Sequence, residues 1–264
     1  MNHKDQQIKN ELYLKITVFF LLVLMGVIAL VNIDLFSYEK DETMIRHTMI
    51  RFIGGLIMIL IMVSSGYRSL FRFNHVGKSL LIILPALLIS INNFPIIAYI
   101  DQRAFLTEPA YRVFLFLVEC LSVGFFEEII FRGFLLMFLI KALSHMKNKI
   151  ILSIFISSAL FGLIHLLNLF SGASIGDTLL QVGYSFLVGM LWAVLFLKTN
   201  NLWLIMILHA LYNFFGQVMF YLGSVYGRYD VYTIVITTLL AFLVAVYAYR
   251  IYKNLPDQMI DQKN

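Results

Sequence analysis

The chain has 264 residues, of which 61% are apolar and only 13% charged, with a formal net charge of +5. A soluble domain of this length has too little interior to hide so much apolar surface, so the composition excludes an ordinary soluble protein and makes the bilayer the solvent. The Lys and Arg residues are scattered between apolar runs instead of forming one patch, which argues against nucleic-acid binding, and a single cysteine, Cys120, excludes an intramolecular disulfide.

Apolar stretches long enough to cross about 30 Å of hydrocarbon recur along the sequence. They predict eight spans, at 14–36, 51–66, 79–100, 110–140, 150–170, 178–197, 202–222 and 231–252. The first follows a Lys-bearing stretch, is too long for a signal-peptide core and lacks a small-residue cleavage site, so it is expected to remain as a membrane helix. The third contains Pro85, Asn92, Asn93 and Pro95, which predict a kink or a broken end. The fourth is too long for one straight crossing and is expected to tilt, to kink near Gly124 or Gly133, or to run out along the surface. Basic residues concentrate in alternate loops, a pattern that places both termini in the cytoplasm. With no repeat or linker in view, the expected architecture is an all-α, polytopic helical bundle forming one integral membrane domain over 1–264.

Ionisable residues inside spans carry the functional information, because a charged group at the bilayer centre costs at least about 2.5 kcal/mol. They are Glu119, Glu127, Glu128 and Arg132 in the fourth span, His165 in the fifth and His209 in the seventh, where Asn213 adds an amide; His3, His47, His75 and His145 fall in polar segments. Glu128 and Arg132 are four apart and share a helix face, where they can neutralise each other, while Glu127 points about 100° away. His209 and Asn213 repeat the spacing, as do Phe161 and His165. Taken singly, an acid–base pair can simply lock helices together, and a membrane histidine is more often a packing residue. Three helices each presenting groups suited to water activation and oxyanion stabilisation are harder to obtain from packing alone. Glu119 fits no such role; Arg112 or a donor on a neighbouring helix is its expected partner.

Glu-Glu-Ile-Ile-Phe-Arg-Gly at 127–133, Phe-Gly-Leu-Ile-His at 161–165 and His-Ala-Leu-Tyr-Asn at 209–213 resemble the three motifs of the CPBP family, also called Abi or type II CAAX prenyl endopeptidases. The family pattern is EExxxR, FxxxH and HxxxN or HxxxD on successive membrane helices, and its core here covers about 110–222. The resemblance implies an intramembrane peptidase without a cofactor, with Glu127, His165, His209 and Asn213 as catalytic positions. Glu127 is then the base, since a carboxylate in a water-poor cavity is destabilised as the anion and becomes a competent proton acceptor. His165 holds and polarises the water, His209 and Asn213 donate to the tetrahedral oxyanion, and Glu128, Arg132 and Phe161 support them. The implied substrate is a membrane-associated peptide or protein, with no nucleic-acid partner. Alternatives are a zinc protease, though a helical His-Glu-x-x-His is absent and Asn213 is a poor zinc ligand, a non-catalytic immunity protein of the same fold, and a transporter, though no inverted repeat is seen. One difficulty stands: counting 1.5 Å per residue from the cytoplasmic ends puts Glu127 and His165 about 20 Å deep but His209 nearer 10 Å.

Overall fold

The computed structural model describes residues 39–64, 66–72, 76–227 and 230–255. The span expected over 14–36 lies outside the described residues. Helix α1 runs Lys40–Ser64, and a 3₁₀ turn at Arg68–Phe71 follows it. Helix α2 (Val76–Asn92) and the short α3 (Ile96–Ile100) fill the third predicted span. The fourth comprises α4 (Ala110–Glu128), a π-helical stretch at Ile129–Leu136 and α5 (Met137–Ala142). Helix α6 (Lys149–Leu163) passes into a 3₁₀ segment (Ile164–Ser171), and α7 (Ile175–Thr199), α8 (Leu202–Tyr221) and α9 (Val231–Lys253) complete the bundle.

Five of these, Lys40–Ser64, Lys149–Ser171, Ile175–Thr199, Leu202–Tyr221 and Val231–Lys253, are long and apolar enough to cross a membrane. The all-α membrane bundle expected from the apolar periodicity is therefore what forms. One small feature departs from it: β1 (Ala104–Leu106) pairs antiparallel with β2 (Gly223–Val225), Ala104 opposite Val225, in loops too short to read as strands.

Burial follows the logic of a membrane solvent. Large apolar side chains such as Leu81, Leu239 and Phe242 point outward, while Ser90, Ser157, Glu128, Arg132 and His209 are buried. Lipid tails supply no hydrophobic drive between helices, so polar groups go inside, where they find partners. Ser157 donates to the Phe131 carbonyl and Ser90 to the Ala86 carbonyl. The interior also holds a tightly packed apolar layer of Ile129, Ile130, Leu136, Trp192, Phe196, Leu202 and Ile205.

The expected break in the third span falls between α2 and α3, at residues 93–95. Asn93 donates to the Tyr212 carbonyl of α8 at 2.9 Å, and Asn92 to the Thr237 hydroxyl of α9 at 2.9 Å, so side-chain amides at the break bind neighbouring helices. Within the fourth span the backbone widens to the π form over Ile129–Leu136, a stretch that includes Gly133. Gly124, the other expected kink site, instead admits α8: a Cβ there would collide with the Met206 carbonyl oxygen.

The second span begins earlier than hydropathy suggests, at Lys40 and not near residue 51. His47, assigned to a polar segment by its sequence neighbours, is consequently a buried helical residue. Charged first turns depress window hydropathy although the backbone is already helical, and Asp41 and Glu42 suit a helix N-terminus.

The bundle end that carries β1 and β2 is held by ion pairs. Lys40 bonds Glu108 at 2.7 Å, Arg112 bonds Asp41 at 2.6 Å and also Glu108, and Arg103 joins Asp101, Asp230 and the carbonyls of Tyr226 and Gly227. Lys40 and then Arg112 hold the Glu108 carboxyl below its ordinary 4.5, while the Thr233 amide, then its hydroxyl and Arg103, hold Asp230 below 3.8. Both shifts are depressions, so the pairing is complete above those ordinary values and is lost as pH falls through the lower folded ones. Hydrogen-exchange protection of residues 101–112 and 223–227 is therefore expected to stay flat from about pH 7 to about pH 5 and to fall under more acid conditions. A decline that is already complete near neutrality would contradict the ion-pair account.

Candidate active site

The site is built where α4 meets α8, with the α6–3₁₀ segment and α7 closing the side. Glu127 and Glu128 are the last residues of α4, and the π-helix that follows carries Arg132. Glu128 and Arg132 are fully enclosed, 0% and 1% exposed, and Arg132 Nη1 donates to Glu128 Oε1 at 2.8 Å. Burying both charges is tolerable only because each is paired and further bound. The second guanidinium nitrogen donates to the Gly189 carbonyl of α7 at 3.2 Å, and the guanidinium carbon lies 4.4 Å from the centre of the Phe161 ring. Gly189 permits this approach: a Cβ there would crowd Arg132 Nη2 and Phe161 at 3.2 and 3.1 Å.

His209 is the third member of this group. Its Nδ1 is 2.6 Å from the same Glu128 Oε1, and its Nε2 faces Glu127 Oε2 at 3.7 Å. A carboxylate accepts, so Nδ1 carries the hydrogen and the ring is turned with Nε2 toward Glu127. Phe161 stands edge-on to both histidines, its ring centre 5.5 Å from that of His165 and 5.7 Å from that of His209. Glu128 thus aims His209 as well as pairing Arg132. Its spacing from Arg132 revealed the second contact but not the first, which joins residues 81 positions apart.

A cavity of about 580 Å³ opens beside these groups. Glu127, Phe161, His165, His209 and Asn213 all line it, so the structure brings these five sequence-selected residues to one space. Glu128 and Arg132 lie behind its wall. Glu127 keeps a 16% exposed side chain where Glu128 has none, a difference that suits one carboxylate to meet a ligand and the other to act through its neighbours.

The start of α8 is covered by protein. Asn201 and Leu202 are completely buried, and Asn201 caps the helix by accepting from the Leu204 amide at 3.3 Å. The Trp203 indole donates to the Phe71 carbonyl at 3.0 Å, so the 3₁₀ turn after α1 covers this end.

Glu119 has the neighbouring-helix partners that were expected as one option: Arg51 Nη1 at 3.1 Å and His47 Nδ1 at 3.3 Å, both on α1. Arg112, the local option, binds Asp41 and Glu108 instead. Arg51 and Glu119 also line the cavity, two turns of α4 away from Glu127. Arg51 and His47 escape notice in the sequence because they sit at or before the edge of the predicted second span. Gln181 and Asn168, which line the same cavity, carry no charge and lie outside the three motifs, so they give little signal in the sequence.

Among the described residues, no group of three or more His, Cys, Asp or Glu side chains is arranged to hold a metal ion. Cys120 is buried and free.

Residues 109–215 match the family model for type II CAAX prenyl endopeptidase Rce1-like proteins. That segment contains all three motifs, and the resemblance read from them is borne out at the level of the family. No curated protein gave a match, and no solved structure did. The family is one of membrane endopeptidases, and the helices of the described residues make the chain an integral membrane protein.

Proposed function

We propose that this protein is an intramembrane endopeptidase in which Glu127 activates a water to cut a peptide bond in a membrane-associated peptide or protein. The observation that carries the reading is the convergence of a partly exposed carboxylate, Glu127, with His165, His209 and Asn213 on one cavity inside the bundle. Peptide hydrolysis needs a base for the water, donors for the oxyanion and a proton for the departing amine. Glu127 takes the water's proton and returns it to the amine. His209 and Asn213, one helical turn apart on α8, supply the oxyanion donors. Since Nδ1 of His209 is committed to Glu128, its Nε2 can donate only when the ring is an imidazolium. Glu128, Glu127, Arg132 and an imidazolium at 209 sum to zero charge, so the enclosed cluster is neutral in that state. The catalytic domain is the whole bundle, with its motif core over about 110–222, seated in a bacterial cell membrane with both termini cytoplasmic.

The zinc-protease alternative makes an opposite prediction about chelation. Glu128 Oε1 is occupied by Arg132 and His209 Nδ1 by Glu128, which leaves Glu127, His165 and His209 Nε2 as the donors facing the cavity. The glutamate reading expects purified protein to hydrolyse substrate undiminished after exhaustive chelation. Activity that disappears on chelation and returns specifically with zinc would recast Glu127 as a metal ligand or as the base beside an ion.

A further inference from the structure

Two neutral amides stand in line behind His165. Asn168 Nδ2 donates to Gln181 Oε1 at 2.8 Å, and Gln181 Nε2 lies 3.2 Å from His165 Nδ1. The line leaves the 3₁₀ segment at Asn168, crosses to α7 at Gln181 and returns to the 3₁₀ segment at His165, and all three residues line the cavity that holds Glu127. An amide nitrogen has hydrogens to give and no lone pair to offer, so in this contact Gln181 donates and Nδ1 accepts. A neutral imidazole whose Nδ1 is an acceptor carries its hydrogen on Nε2.

We propose that Gln181, aimed by Asn168, is a positioning residue that holds His165 as the Nε2–H tautomer, making His165 a donor to the attacking water and not a second base. The inference rests on the peptidase reading of the same site. With Nε2–H directed at one lone pair of the water, the other lone pair is free for the carbonyl carbon and the water's hydrogen is free for Glu127. The water oxygen then bonds to the carbonyl carbon, its proton passes to Glu127, and the carbonyl π pair moves to oxygen. Collapse breaks the carbon–nitrogen bond, and the amine leaves with the proton held on Glu127. His165 gains and loses no proton in this sequence, so a tautomer that offered a bare Nε2 would compete with Glu127 for the water's hydrogen.

Orientation by two amides in series gives the inference a distinctive consequence, because a change at residue 168 must act on His165 through a side chain between them. Asn168→Asp leaves only acceptors at that position. The Gln181 amide must then turn over to donate toward it, presenting Oε1 to His165 and requiring a hydrogen on Nδ1. Gln181→Glu presents an acceptor to His165 directly and reaches the same end by a different substitution. The decisive measurement is the nitrogen NMR spectrum of histidine-labelled full-length protein in lipid nanodiscs, with His165 assigned by the signals lost in His165→Gln. Wild type is expected to show Nε2–H, and both variants are expected to show Nδ1–H. Their kcat should fall about 10- to 100-fold with KM little changed, the scale on which partners that orient a catalytic group act. In a Gln181→Met background, Asn168→Asp should have no further effect on the ring.

An Nδ1–H signal in wild type, or an Asn168→Asp spectrum identical to wild type, would overturn the proposal. The spectrum requires no substrate. A protein that shows the expected tautomers but cleaves nothing would therefore count against the peptidase reading, while an active protein with the wrong tautomer would count against the relay alone.

Discussion

Glu127→Gln is expected to leave the protein inserted and folded and to lower turnover by roughly 100-fold or more, since the base and the hold on the water disappear together. The expectation that folding survives comes from the surroundings of Glu127. Its side chain opens on the cavity, its contact with His209 Nε2 is long at 3.7 Å, and an amide of the same shape demands no repacking. His165→Ala should behave similarly. Asn213→Ala should lower turnover by about 100- to 1,000-fold, as the loss of one oxyanion donor does in well-studied cases, with His209 remaining as the other donor. Rates come from cleavage of a reconstituted substrate, and folding from monodispersity and thermal midpoint in detergent. Wild-type turnover in Glu127→Gln would sink the mechanism.

The second large effect falls on stability. Arg132→Met strands the Glu128 carboxylate at full burial and removes the guanidinium from the Gly189 carbonyl and the Phe161 ring, so it is expected to destabilise by about 3 to 5 kcal/mol. Adding Glu128→Gln removes the stranded charge and should recover part of the folded yield. Activity should not return with it, because a neutral amide at 128 no longer anchors the charged form of His209 across the 2.6 Å contact. Folded yield and thermal midpoint separate the two losses from turnover. A double variant no more stable than Arg132→Met would mean that Glu128 and Arg132 are not energetic partners.

Much of this molecule was legible in its sequence because the membrane makes the rules severe. Apolar runs had to be helices, so the bundle followed from hydropathy, and the break near Pro95 followed from two prolines and two asparagines in one run. Boundaries were less legible where charge sits on a helix. Lys40, Asp41, Glu42 and Arg46 made the start of α1 look like a loop, and His47 and Arg51 were lost with it as partners for Glu119. The buried start of α8 was hidden for the converse reason. A buried Asn201 reads as a surface turn until its burial and its hydrogen bond to Leu204 are known.

For the site, spacing revealed what lies within one helix and was silent on what lies between helices. The four-residue step from Glu128 to Arg132 gave their ion pair, and the four-residue steps to His165 and Asn213 gave faces. No periodicity could say that His209 would reach Glu128, or that Gln181 would stand behind His165, because those contacts depend on how α8 crosses α4 and how α7 packs on the 3₁₀ segment. Uncharged amides such as Asn168 and Gln181 also carry only a weak signal, being cheaper to bury in a membrane than an ionised group.

The most direct test of the central claim is product analysis. Purified wild-type protein and Glu127→Gln are reconstituted in lipid vesicles with a library of membrane-anchored peptides, and the products are sequenced by mass spectrometry. The account predicts internal peptide-bond cleavage by the wild type, with products at least about 100-fold scarcer in the variant at equal folded protein. Cleavage by both at the same rate, or by neither across the whole library, would contradict it.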